Sequence, residues 1–349
     1  MISGKPKCSF VLIIMFFVFI GGCATHTIVE KKPPVSVDQF FSAIQKSDLI
    51  ETERMIVGGV DVNAKNTKEY TPLMLAAEHG DINTLKLLLY AGADIDVKGR
   101  SDKTALMTAA YEGQTEAVRT LIEAGTDIHE RSKAGATALL YASMNGHTDT
   151  VGLLLKAGSH FEIPQDYTPL MASSKNGHRE TVNLLLQWGA NVNALNNDKM
   201  SSLAFASYEG HTEIASMLID AGAVLDTQDK WGRSPLMKAA QNGHVDVTRL
   251  LINRGADIEI KDNEGFTAMM ISAMEEKADI LQLLLDNGTL ITEKAQDGKT
   301  ALMLAEETSN EDAGQVLREN VKEIFDKVIL LMKKEQWIIS ALMLCSLIM

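Results

Sequence analysis

The chain has 349 residues, 46% of them apolar and 5% aromatic, and a formal net charge of −13 from 33 Lys and Arg against 46 Asp and Glu. That is ample apolar material for a buried core. The acidic balance argues against a nucleic-acid or anionic-lipid surface, and it suits either a basic partner or plain solubility.

Residues 1–22 read as a targeting segment. Lys5 and Lys7 make a basic start, and Phe10–Ile20 is an unbroken apolar run of 11 residues, short for a membrane span and right for a signal core. Ile20-Gly21-Gly22-Cys23 then resembles the bacterial lipoprotein box. The resemblance implies cleavage between Gly22 and Cys23 and thioether lipidation of Cys23. Ile20 and Gly21 depart from the residues that the family prefers, so an ordinary secretory signal with an incidental cysteine and a retained signal-anchor stay open. Ala24 follows the cysteine. An Asp there would mark inner-membrane retention in enteric-type bacteria, so the expected location is the cell envelope, facing the periplasm from the outer membrane if the cell is Gram-negative. Cleavage would remove two lysines and no acid, taking the net charge from −13 to −15. The remaining cysteines are Cys8, which leaves with the signal, and Cys345, so no internal disulfide is expected. Residues 23–36 are polar with Pro33-Pro34 and read as a tether. Extended, Thr25–Ser36 would reach about 40 Å.

From residue 70 the chain repeats itself, and Asp229–Lys261 is the clearest copy. Ser234 suits a helix N-cap, and Pro235 suits the first turn, where its missing N–H costs nothing. Leu236, Met237, Ala239 and Ala240 give that helix an apolar side, and Gly243 can end it in a left-handed conformation. A second helical pattern runs through Val245, Val247, Leu250, Leu251 and Ile252 to Gly255, and a loop leads to the next start at Thr267. The same start recurs at Thr71, Thr104, Thr137, Thr168, Ser201, Ser234, Thr267 and Thr300, at intervals of 33, 33, 31, 33, 33, 33 and 33. The short interval has lost two residues from the loop at His160–Tyr167, where Pro164 lies. Asn145-Gly146-His147, Asn176-Gly177-His178, Glu209-Gly210-His211 and Asn242-Gly243-His244 recur in step.

This period and these starts resemble the ankyrin repeat, with its pattern T-P-L-H-x-A. The resemblance implies an all-α solenoid of about nine helix-turn-helix repeats with β-hairpin-like loops. A degenerate first repeat would span 37–69, carried by Phe40-Phe41-Ser42-Ala43-Ile44 and Gly58–Asn63. Eight clearer repeats follow from 70, and the array ends near 320. One departure is consistent. The His of the pattern is Met at 74, 107, 171, 237 and 303. Methionine cannot make that histidine's polar links between loops, so apolar packing is expected there.

The last repeat is rich in acids, as a cap with one neighbourless face should be. Beyond it, 321–349 reads as a hydrophobic helix or tail. Val321, Ile324, Phe325, Val328, Leu331 and Met332 recur at helical spacing, and Trp337–Met349 is almost wholly apolar. Folding back onto the last repeat, resting in a membrane interface and docking into a partner are all open to it.

No catalytic motif emerges. His147, His178, His211 and His244 share one repeat position, so they are spread along the stack and suit a structural role better than a metal site. H-E-x-x-H, G-x-S-x-G, C-x-x-C and Walker-type loops do not occur. The expectation is a non-enzyme with no cofactor, no metal, no nucleic acid and no small-molecule substrate. The resemblance implies a protein partner held by loop tips and the concave face of the first helices. By position the tips are Tyr70, Lys103, Tyr167, Arg233 and Phe266, with Lys230 and Trp231 beside them. The helix positions are Tyr111, Glu112, Met144, Asn145, Lys175, Asn176, Tyr208, Glu209, Gln241 and Asn242. Exposed Tyr, Trp and Arg are the types that anchor interfaces. A structural or protective envelope protein, shielding an exported enzyme or assembling with itself, is the alternative.

Overall fold

A computed structural model describes residues 36–160 and 167–348. The signal segment, Cys23, most of the tether and the shortened loop with Pro164 lie outside the described residues. The rest is helix and loop, with no strand among the described residues. The helices come in pairs. These are α1 Val37–Gln45 with α2 Leu49–Val57, α3 Pro72–His79 with α4 Ile82–Tyr90, and α5 Ala105–Tyr111 with α6 Thr115–Glu123. Next are α7 Ala138–Met144 with α8 Thr148–Lys156, α9 Pro169–Lys175 with α10 Arg179–Gln187, and α11 Ser202–Glu209 with α12 Thr212–Asp220. Last come α13 Pro235–Asn242 with α14 Val245–Asn253, α15 Ala268–Met274 with α16 Ala278–Asp286, and α17 Ala301–Glu307 with α18 Glu311–Ile348.

First helices pack on the first helices before and after them, and second helices on second helices, so the molecule is two parallel layers. From α3 on, each first helix opens on a Thr or Ser whose hydroxyl accepts the N–H three residues later, at 3.1–3.5 Å. Such a cap contributes about 1 kcal/mol. One core runs the length of the stack, from Phe40 to Leu317. Its spine is a leucine in each second helix from α4 on: Leu88, Leu121, Leu154, Leu185, Leu218, Leu251, Leu284 and Leu317, all fully buried. Each contributes about 2 kcal/mol relative to exposure.

The loops between pairs are fingers closed like hairpins without becoming strands. The N–H of Asp229 donates to Arg233 O at 3.1 Å, and that of Asp262 to Phe266 O at 2.9 Å. Adjacent fingers are joined by single backbone bonds, such as Lys230 N–H to Asp198 O and Asn263 N–H to Trp231 O, both 2.9 Å. The methionine expectation holds for Met74, Met107, Met171 and Met237, which are buried, but not for Met303, which is 50% exposed. Met74 shows the reason. Its sulfur packs against Gly99 in the next finger, and after α17 no further finger follows to cover Met303.

Of the three readings open to the C-terminal segment, folding back onto the last repeat is not supported by the side chains described up to Met332. Ala313 and Leu317 of α18 are buried in the array, but Val321, Ile324, Leu330, Leu331 and Met332 are exposed. The helix runs on because its stop signal is missing. Four residues after the spine leucine stand Gly92, Gly125, Gly158, Gly189, Gly222, Gly255 and Gly288, each with positive φ. The equivalent residue after Leu317 is Val321, which continues a helix where glycine would leave it.

Candidate functional site

Three positions in each repeat converge on one side of the first-helix layer. They are the residue before the helix start, the residue four after it and the residue seven after it. In α5 they are Lys103, Thr108 and Tyr111; in α7, Ala136, Tyr141 and Met144; in α9, Tyr167, Ala172 and Lys175. In α11 they are Met200, Phe205 and Tyr208, and in α13 Arg233, Lys238 and Gln241. The tip and the helix meet directly. Arg233 Nη1 donates to Gln241 Oε1 at 3.1 Å, and Lys299 Nζ to Glu307 Oε2 at 2.7 Å. These positions hold Lys, Tyr, Phe, Met and Arg, whereas the spine positions repeat leucine.

The chemistry along the row is aromatic and cationic. Lys103 Nζ lies 4.7 Å from the centre of the Tyr111 ring and 4.6 Å from that of Tyr141. The two rings meet edge to face at 5.8 Å, and Tyr141 is buried with its hydroxyl donating to Ser132 Oγ at 3.2 Å. Tyr167 packs edge to face on Phe205 at 5.3 Å, and Lys175 Nζ is 5.9 Å from the Phe205 ring. Burial pushes the Tyr167 phenol well above the usual tyrosine range, helped by the charge of Glu209. Burial, then the nearby Glu78 and Glu112 carboxylates, raise Tyr70 as well. Both phenols stay neutral at physiological pH, and they offer a ring and an O–H rather than a base.

The densest cluster surrounds the tip before α13. Lys238 and Asp229 are both buried, and they form an ion pair at 2.6 Å. Asp229 Oδ1 also accepts the N–H groups of Trp231 and Arg233, both at 2.9 Å, so it shapes the finger. Arg233 Nε lies 3.5 Å from the buried Asp262 of the next finger. Lys230 pairs with Asp198 of the previous finger at 2.6 Å and covers the Trp231 ring at 4.3 Å. Trp231 remains 51% exposed.

The residues expected at the surface thus separate into three groups. Tyr111, Glu112, Lys175, Tyr208, Lys230 and Trp231 are exposed, and Lys103, Met144, Arg233 and Gln241 are partly so. Tyr70, Tyr167 and Phe266 are half-buried against the core, propping their fingers. Asn145, Asn176 and Asn242 are tied down. Each amide donates to a backbone carbonyl of the preceding first helix, on Tyr111, Met144 and Tyr208 respectively, at 2.7–2.9 Å. The histidine two residues later reaches the same carbonyl through Nε2, all at 2.9 Å for His147, His178 and His244. His211 does so alone, to Lys175 O. The intervening glycine carries the next repeat's ring against its α-carbon: a Cβ on Gly210 would come within 2.5 Å of His244. Asn-Gly-His is therefore a clasp between repeats.

Sequence reasoning missed Tyr141, Phe205, Lys238, Asp229 and Asp262. For Tyr141, Phe205 and Lys238 the signal was the fourth position after each start. Read down the repeats it is Leu75, Thr108, Tyr141, Ala172, Phe205, Lys238, Ile271 and Leu304, a changing column between two nearly constant ones. No group of three or more metal-capable side chains occurs among the described residues.

A family model described as Ankyrin repeats (3 copies) matches residues 40–132, 124–196, 189–262 and 254–327. The chain belongs to the ankyrin-repeat family. Comparison with curated proteins gives no match. Ankyrin repeats are interaction scaffolds for other proteins and are generally non-catalytic. The finger-and-helix row of this ankyrin array is accordingly the candidate interface.

Proposed function

We propose that this ankyrin-repeat chain is a non-catalytic scaffold, exported and lipid-anchored through Cys23 to a bacterial envelope membrane. It holds a protein partner across its fingers and first helices. The observation that carries the binding face is the variable row with the tip beside it: exposed Tyr208, Tyr111 and Lys175 of the row and Trp231 of the tip stand on a frame whose core positions repeat. The Trp231 and Tyr111 rings are each covered by a lysine, and a ring so held loses little freedom on binding, which is what an interface anchor requires. The lipid anchor is supported by the sequence around Cys23 alone.

Affinity capture of the mature protein from its own membranes tests the scaffold. One stoichiometric partner should be retained by the parent chain and lost by Trp231→Ala with Tyr208→Ala. Equal capture by this variant would count against the face, and a particle made only of this chain would favour the self-assembling envelope alternative. Cys23→Ala should leave an uncleaved precursor or a protein released from membranes. Normal processing with normal membrane retention would refute the lipoprotein reading.

A further inference from the structure

The part of α18 just beyond the array, 321–332, is mostly exposed where its side chains are described. The helix leaves the last repeat at Asn320 and continues to Ile348, 28 residues that extend about 42 Å at 1.5 Å each. Its first part is amphipathic. Val321, Ile324 and Leu331 follow one another at three- and seven-residue steps and are exposed. Lys322, Glu323, Asp326 and Lys327 fall between them, with Lys327 and Glu323 paired at 2.7 Å. Its second part has no polar side. After Lys333-Lys334-Glu335-Gln336, residues 337–349 hold only two serines among apolar residues and open on Trp337.

Two occupants would fit an exposed apolar helix: a second copy of the chain and a bilayer. A helical seam between copies needs a polar back, because a strip at every third and fourth residue is all that it buries. The amphipathic part meets that requirement, but 337–348 does not, since a helix apolar on every side is at home only when enclosed or in lipid. The order of residue types also matches a membrane boundary. Lysines at the headgroups and a Trp at the interface precede the apolar run. Residues 321–349 carry four lysines against three acids, a local excess of positive charge in a chain of −13. No helix among the described residues is long and apolar enough to cross a membrane.

We propose that the part of α18 beyond Asn320 is a membrane-binding element. Its apolar end enters the hydrocarbon, and Lys333 and Lys334 stay among the headgroups. This attachment is independent of the lipid on Cys23 and lies at the opposite end of the array from it.

The test uses the chain beginning at Ala24, which keeps every described helix and has no acylation site. Flotation with phosphatidylcholine vesicles, with and without phosphatidylglycerol, reads binding, and sedimentation velocity without vesicles reads self-association. The parent chain should float. Ile338→Asp with Leu342→Asp should lower partitioning by roughly a hundredfold or more, the scale of two carboxylates placed in hydrocarbon. Its thermal melt should be unchanged. Lys333→Gln with Lys334→Gln should weaken flotation by about tenfold, and only on the anionic vesicles. The proposal is overturned if the Asp variant floats like the parent. It is also overturned if the parent stays with the unbound fraction, whether as a monomer or as a dimer through this helix. Loss of partner capture at Trp231 would leave this result untouched, so the two readings fail separately.

Discussion

The buried pair of Lys238 and Asp229 shows how one residue can shape a whole finger. A buried ammonium without its carboxylate is far costlier than the pair is favourable. Asp229→Ala strands Lys238 and also removes the acceptor for two backbone N–H groups, so it should destabilise the array by about 3–5 kcal/mol. Lys238→Met leaves Asp229 with both backbone donors and should cost clearly less, about 1–2 kcal/mol. Denaturant titration of the two variants checks the ranking, and equal losses would show that the pair, not the finger, dominates. The pair was invisible in the sequence because an Asp nine residues before a Lys is ordinary in an acidic chain. Only the finger's turn back onto its own helix brings them together. Trp231, by contrast, was legible as a surface residue, since it falls on a tip where the repeat has no use for a large ring.

At the scale of elements, helix starts and stops were almost fully legible. Each depends on one side chain or one glycine, and those are local properties. What the helices do for one another was less so. The Asn-Gly-His turn reads as a helix boundary, yet its asparagine and histidine serve the preceding repeat. The clasp makes a coupling prediction. Gly210→Ala forces a left-handed alanine and pushes a methyl into His244, so it should cost more than the roughly 1 kcal/mol of backbone strain alone. His244→Ala should cost about 1 kcal/mol for the lost bond to Tyr208 O. The double variant relieves the collision and keeps only the strain. Its loss should therefore fall short of the sum of the singles, and strict additivity in equilibrium unfolding would refute the contact. The tail was legible as a helix, while its direction stayed open in the sequence. The residue that carries the helix on, Val321, differs from its seven glycine counterparts only when the columns are aligned.

At the scale of the molecule, stability is a sum over neighbours, and α18 contributes to it only as far as its last buried turn. A chain ending at Asn320 should keep the melting midpoint of the full array within about 2 °C, because the side chains described at 321–332 are mostly exposed. A large drop in a calorimetric scan would mean that the tail packs on the repeats after all. The clasps, the finger-to-finger bonds and the loop bonds, such as Asp94 N–H to Asn63 Oδ1 at 2.8 Å and Asp257 N–H to Asp226 Oδ1 at 3.1 Å, share one property. Every one spans 29–38 residues and reaches only the adjacent repeat. A lineage can therefore lengthen or shorten such a protein by whole units without rewriting any surviving contact. The interval from Thr137 to Thr168 is two residues short, yet Asn176 and His178 still reach Met144 O across it. Copy number and loop length are free to drift, and the register of the clasps is not.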